Sequence, residues 1–230
     1  MSMMRTNGVV IAIDGPSGAG KSTLTRLLAR RLGYVHIDTG ALYRTLALAV
    51  SRSGVSADDE AAVATICRKV EIEFRRDDGC CRVMADGEDV SEAIRTPEIS
   101  MLTSRIAAQG AVREILLGLQ HDLGRDGGVI LEGRDIGTVV FPDAEVKFFL
   151  SASAEERGRR RFLELREKGC QATLEETIAD VVKRDEQDAD RELAPLRKAV
   201  DAVEIDSTGV SVEAVLNRME QLFRERIQTG

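Results

Sequence analysis

Two histidines, four cysteines and two asparagines are all that 230 residues offer of these types, and each shortage removes a class of function. Cys67, Cys80, Cys81 and Cys170 contain no C-x-x-C spacing, and His36 and His121 alone cannot complete a zinc site around them. The thiols are expected to be reduced and structural. Neither Asn7 nor Asn217 opens the N-K-x-D sequence that reads guanine in a GTPase, and no L-S-G-G-Q transporter signature is present. Long apolar runs are also missing. The early run Val9 to Ile13 meets Asp14 at once, which is too short to span a membrane, and no basic stretch leads into a longer apolar one as in a secretory signal. No membrane partner and a cytoplasmic location are therefore expected. Basic excess is absent: the formal net charge is -7, which argues against a nucleic-acid polymer as partner. No internal repeat or low-complexity segment interrupts the chain.

What is present is an ordinary globular composition, 43% hydrophobic and 31% charged. Val9 to Ile13 reads VVIAI, a β-branched run suited to a strand buried on both faces. Leu24, Leu27, Leu28 and Leu32 follow at helical spacing, with Gly33 placed to end the helix. Further strands are predicted at Tyr34 to Ile37, Val129 to Leu131, Val146 to Leu150 and Val203 to Ile205, and a helix from about Ala41. Helices between most of the strands predict an α/β fold with a parallel sheet flanked by helices. The stretch Val70 to Ser91 breaks the rhythm. Val70, Ile72 and Phe74 alternate with Glu71 and Glu73, Asp77, Asp78 and Gly79 form a charged turn, and Asp86-Gly87 is a hairpin signal, so a small antiparallel β insert is expected. Near the carboxyl end, Val212, Val215, Leu216, Met219, Leu222 and Phe223 line one face of a helix that Ser211 would cap.

The chemistry centres on residues 15 to 22. Gly15, Pro16, Ser17, Gly18, Ala19, Gly20, Lys21 and Ser22 match G-x-x-x-x-G-K-[ST] between a buried strand and a helix, where a phosphate-binding P-loop must lie. Its backbone N–H groups and the helix N-terminus suit the phosphates of ATP, Lys21 reaches the β- and γ-phosphates, and the Ser22 hydroxyl suits Mg²⁺. With the GTPase and transporter signatures missing, a small-molecule kinase is the better reading. Such chemistry needs fixed cations. Arg44 follows Asp38-Thr39-Gly40, Arg134 and Asp135 follow the strand at Val129, and Arg184, Asp188 and Arg191 are spaced to share one face of one helix. From Glu155 to Lys168, six basic residues (Arg157, Arg159, Arg160, Arg161, Arg166, Lys168) face four acidic ones, a local excess suited to a lid over ATP.

Together, G-P-S-G-A-G-K-S-T at 15 to 23, D-T-G-A-L-Y-R at 38 to 44, E-G-R-D-I-G-T-V-V-F-P-D-A at 132 to 144 and L-A-P-L at 193 to 196 resemble bacterial cytidylate kinases, and the resemblance runs from about Val9 to Phe223. It implies a P-loop kinase fold with a core at about 8–50, 99–152 and 172–230, a nucleoside-monophosphate-binding insert at about 51–98 and a lid at about 153–171. The implied reaction moves the γ-phosphoryl group of ATP to CMP or dCMP with Mg²⁺, in a monomer. Residues 15 to 22, Thr23, Arg157 and Arg160 would hold ATP. Arg44, Arg134 and Arg191 would hold the acceptor phosphate, Arg184 and Asp188 the sugar, and Ser104, Arg113 and Asp135 the cytosine, with Asp38, Thr39 and Tyr43 in the same acceptor set. Lys21, Arg134 and Arg191 would carry the catalysis. Some relatives have Asp where this chain has Glu132, whose carboxylate would help hold a Mg²⁺-bound water, and some have Ser in place of Thr39.

Overall fold

In the computed structural model, residues 6–77, 80–167 and 169–228 are described. The chain runs β1 (Val10–Asp14), α1 (Lys21–Leu32), β2 (Val35–Asp38), α2 (Thr39–Ser53), α3 (Glu60–Cys67), β3 (Ile72–Asp77), β4 (Cys80–Ala85), β5 (Glu88–Asp89), α4 (Pro97–Ile106) and α5 (Gly110–Gly124). It continues through β6 (Val129–Gly133), β7 (Val146–Ser151), α6 (Ala154–Glu167), α7 (Leu174–Ala189), β8 (Val203–Asp206) and α8 (Val212–Gln228). A 3-10 turn, Ala93–Arg95, precedes α4, and a π-helical turn, Ile136–Val140, follows β6.

The five-stranded sheet has the order β2-β6-β1-β7-β8, with β1 parallel to both β6 and β7 and β7 parallel to β8. Central position explains the composition of β1. Every residue from Val10 to Asp14 is buried, so its two faces pack against protein and no polar alternation can develop. One core cluster joins Ile11, Ile13, Phe148 and Leu150 of the strands to Leu24 and Leu28 of α1 and to Val215, Leu216 and Met219 of α8. The apolar stripe predicted for α8 is thus core packing, and the Ser211 hydroxyl accepts from Ala214 N at 3.3 Å as its cap.

Contacts divide the chain into two compact units, residues 1–37 with 123–230, and residues 38–122. The first carries most of the parallel sheet. Within the second, α2 packs against α4, and β3, β4 and β5 form the small antiparallel sheet. Asp86 and Gly87 both take positive φ, 49° and 83°, as a two-residue hairpin turn requires. The predicted turn at Asp78-Gly79 lies outside the described residues. The helix expected from about Ala41 starts earlier, at Thr39, because the Asp38 carboxylate accepts from Ala41 N at 3.1 Å and caps it.

A larger correction concerns α7. It begins with a capping box between Thr173 and Glu176 and ends at Ala189, so Arg184 and Asp188 lie on it but Arg191 does not. Arg191 instead reaches back from the following loop. Where α6 passes α7, Gly158 packs directly on Ile178: a Cβ there would lie 2.4 Å from Ile178 Cγ1 and 2.9 Å from Ile178 Cα. Gly158→Ala should therefore push the helices apart and lower the thermal midpoint, at a cost of about 1–3 kcal/mol typical of overpacking. A melting curve unchanged from the parent's would refute tight packing at this crossing.

Candidate functional site

β1 delivers the chain to the P-loop at the carboxyl edge of the parallel sheet, where ligands collect in such folds. Gly15, Gly18 and Gly20 take φ of 147°, 77° and 89°. At Gly15 no side chain would fit, since a Cβ would sit 2.0 Å from the Leu150 carbonyl oxygen. The loop closes onto α1, which starts at Lys21 and presents its N-terminal N–H groups there. Lys21 is buried and folds back to donate to Gly15 O at 2.6 Å and Pro16 O at 2.7 Å. Burial, with Arg134 nearby, pulls its ammonium down to about 7 despite the opposing charges of Glu132, Asp14 and Asp188. Ser22 Oγ donates to Glu132 Oε2 at 2.9 Å, while Thr23 is exposed.

The turn after β6 is held from β1. Asp14 accepts from Ile136 N at 2.8 Å and Gly137 N at 2.7 Å through its two carboxylate oxygens. Burial raises its carboxyl to about 6, a shift that these two N–H groups limit and the charge of Asp135 adds to. The buried Asp135 also supplies a carbonyl that accepts from Val139 N and Val140 N, which starts the π-helical turn. Arg134 Nε donates to Asp188 Oδ2 at 2.7 Å, and Arg191 Nη2 donates to the other oxygen, Asp188 Oδ1. Burial would raise the Asp188 carboxyl, but Arg134, Arg191 and Arg184 together hold it below the usual carboxylate range. The structure thus gathers Arg134, Arg184, Asp188 and Arg191 into one charged cluster, although they come from three different segments.

On α6, Arg157 is buried and fully engaged. Its guanidinium donates to Ala152 O at 2.9 Å and Ser17 O at 3.1 Å, and pairs with Asp185 at 2.6 Å. Arg160 donates to Ser207 Oγ at 3.0 Å and Ser207 O at 2.8 Å, and Ser207 Oγ in turn contacts Ala19 O at 3.2 Å. Both arginines therefore sit beside the P-loop with protein partners already in place. Lys168, the last basic residue expected in this stretch, lies outside the described residues.

In the unit of residues 38–122, Asp38 both caps α2 and accepts from Arg44 Nη2 at 2.7 Å. Arg44 Nε is buried and without a hydrogen-bond partner among the described residues. Such a donor suits an anion. Thr39 is buried at the head of α2, and Arg113 of α5 lies with its guanidinium carbon 5.8 Å from the Tyr43 ring centroid. Ser104 is half-buried on α4.

Sequence reasoning overlooked Asp14, His36, Asp185 and Ser207. Only Asp14 gave a signal, as a carboxylate closing an otherwise apolar buried run.

The Lys21 site makes ligand-free stability depend on pH. Its folded value near 7 lies below its ordinary 10.5, so between these pH values the unfolded chain binds a proton that the folded chain does not. Stability contributed by this group therefore rises with pH across that window, and below pH 7 burial of the cation is a constant cost. Lys21→Met should raise the thermal midpoint relative to the parent most at about pH 6.5, and the difference should shrink by about pH 9.5. Parallel melting curves over pH check this, and a pH-independent difference would refute it.

The family model described as cytidylate kinase matches residues 11–225. A cytidylate kinase of Geobacter sulfurreducens is 66% identical over 98% of this chain and 97% of its own length, and one of a Geobacter species is 63% identical over 100% and 99%. The crystal structure of an uncharacterized protein from Eubacterium ventriosum covers 93% of this chain and 97% of its own, with a TM-score of 0.50 and 10% identity, a likeness of fold alone. On the family match and the full-length identity, the chain belongs to the cytidylate kinase family.

Proposed function

We propose that the chain transfers the γ-phosphoryl group of ATP to CMP or dCMP, giving ADP and CDP or dCDP, as a monomer in the cytoplasm. The observation that carries this reading is the buried Lys21 of the P-loop together with the Arg134–Asp188–Arg191 cluster of the same unit. Two polyanions brought together need such a density of fixed cations. Lys21 and residues 15 to 23 take the triphosphate, Arg157 and Arg160 border it, and phosphate oxygens replace the carbonyls that Lys21 now holds. Arg44, Arg134 and Arg191 take the acceptor phosphate; the Nε of Arg44, without a hydrogen-bond partner among the described residues, supports its part. Arg184 and Asp188 take the sugar. Asp38, by pairing with Arg44, sets the direction of that guanidinium. The attacking phosphate oxygen is already ionised near neutral pH, so no general base is required.

Mg²⁺ fits the residues present. Ser22 and Glu132 bring a hydroxyl and a carboxylate within 2.9 Å, hard oxygen donors of the kind this ion takes alongside phosphates and water. Bound there, it would neutralise phosphate charge.

The base is read by Ser104, Arg113 and Asp135. A carboxylate suits the amino group of cytosine and opposes the carbonyl of uracil at the same place. The parent should favour CMP over UMP by about a hundredfold or more in kcat/KM, the scale of mispaired buried polar groups. In Asp135→Asn that preference should shrink, because the amide can donate to the uracil oxygen. A coupled assay against CMP, dCMP, UMP, AMP, GMP and shikimate in both proteins tests the substrate class and the reader together. Best turnover on another acceptor would overturn the function, and an unchanged CMP to UMP ratio would remove Asp135 from base reading.

We also assign a lid role to the segment around α6. Closing it requires its arginines to exchange present partners, such as Glu156 for Arg159 and Ser207 for Arg160, for phosphate. A bisubstrate analogue should slow tryptic cleavage within residues 155–167, and equal cleavage with and without it would exclude the lid.

A further inference from the structure

Both oxygens of Glu132 are engaged, one by Ser22 of the P-loop helix and one by His36. It lies on β6, between β2 and β1 in the sheet, and is buried, so its carboxylate needs partners inside the protein. Oε2 accepts from Ser22 Oγ at 2.9 Å, and Oε1 lies 2.7 Å from His36 Nε2. His36 comes from β2, the neighbour of β6 in the sheet, and its side chain is only 20% exposed. A carboxylate accepts but cannot donate, so the His36 Nε2 bears the hydrogen whether the ring is neutral or charged.

The geometry has a mechanical meaning. A glutamate has three side-chain torsions, and the last, which turns the carboxylate plane, is broad and weakly restrained by itself. A bond at Oε2 alone restrains that plane less than bonds at both oxygens do. The bond at Oε1, from another strand, adds that second restraint. We propose that His36 is a positioning residue for Glu132: its ring N–H fixes one carboxylate oxygen so that the other faces the Ser22 hydroxyl, and so improves the uptake of Mg²⁺-bound nucleotide. This rests on the reading of Ser22 and Glu132 as the oxygens beside Mg²⁺. Hydrogen-bond partners that orient a ligating carboxylate commonly govern metal affinity although they never touch the metal. No change in the charge of His36 is required.

The test measures binding, so it stands apart from turnover. ADP affinity is determined with saturating Mg²⁺ and again with EDTA, and the ratio gives the benefit that the ion confers. Mn²⁺ binding in the presence of ADP, followed by its electron paramagnetic resonance signal, gives a direct second reading. His36→Leu and His36→Phe remove the donor, the latter keeping a planar ring of similar size. His36→Gln retains an N–H at comparable reach. In Leu and Phe variants the benefit of the ion should fall by about three- to tenfold, the worth of one hydrogen bond, with ADP affinity in EDTA within about twofold of the parent. Gln should restore most of the benefit. In a Glu132→Asp background, whose shorter side chain withdraws from the ring, His36→Phe should change little.

An undiminished benefit in both the Leu and Phe variants would overturn the proposal. So would an equal loss of affinity in EDTA, which would mark His36 as a packing residue of β2, or a failure of Gln to outperform Phe. The wider functional reading fails in a different way, through a parent protein that binds Mg²⁺ and ADP normally but phosphorylates no cytidine monophosphate.

Discussion

The structure turns on a buried carboxylate binding two backbone N–H groups. Asp14 ends the central strand and, in the same stroke, holds Ile136 and Gly137 at the start of the π-helical turn. The P-loop follows it by one residue and Arg134-Asp135 precede its partners by one or two, so a single side chain relates the two segments of this unit that are proposed to handle phosphate. Burying the carboxylate is costly enough to raise its proton affinity, and the turn is tight at Gly137, where a Cβ would crowd Lys147 Cδ at 3.1 Å and Asp14 Oδ2 at 3.3 Å. The strand, the turn and the glycine have to be read as one device.

Charge around the loop follows the same logic of substitution. In the absence of phosphates, cations need temporary company: Lys21 holds two loop carbonyls, while Arg134 and Arg191 divide the oxygens of Asp188. For Lys21 the loop carbonyls do not make up for the water lost on burial, and its lowered proton affinity records the deficit, whereas Asp188 favours the charged form of Arg134. In the proposed function, such preorganisation at the expense of stability is what electrostatic catalysis requires.

Much of this was legible in the chain itself. Local patterns are written locally: the β-branched run of β1, the Asp86-Gly87 turn and the heptad-like stripe of α8 each state their conformation within a few residues, and the structure has all three. The P-loop was equally plain because its glycines do one job that only that spacing allows. The π-helical turn was not legible, since its cause is a carboxylate more than a hundred residues away in sequence. Arg191 misled for a related reason. Its spacing from Arg184 fits a helix, but α7 stops at Ala189 and Arg191 meets Asp188 from a loop. His36 carried no pattern at all; only the adjacency of β2 and β6 gives it meaning.

Arg157 joins parts of the chain far apart in sequence, because from its place on α6 one guanidinium serves Ser17 in the loop, 140 positions away, and Asp185 on α7. It works as a rivet through three layers. A tilt of α6 large enough to draw that guanidinium away also strips the Ser17 carbonyl of its donor and leaves the Asp185 carboxylate without its cation. Rearrangement of the helix and loosening of the loop are for that reason one event with one energy, and a fluctuation at either end is felt at the other.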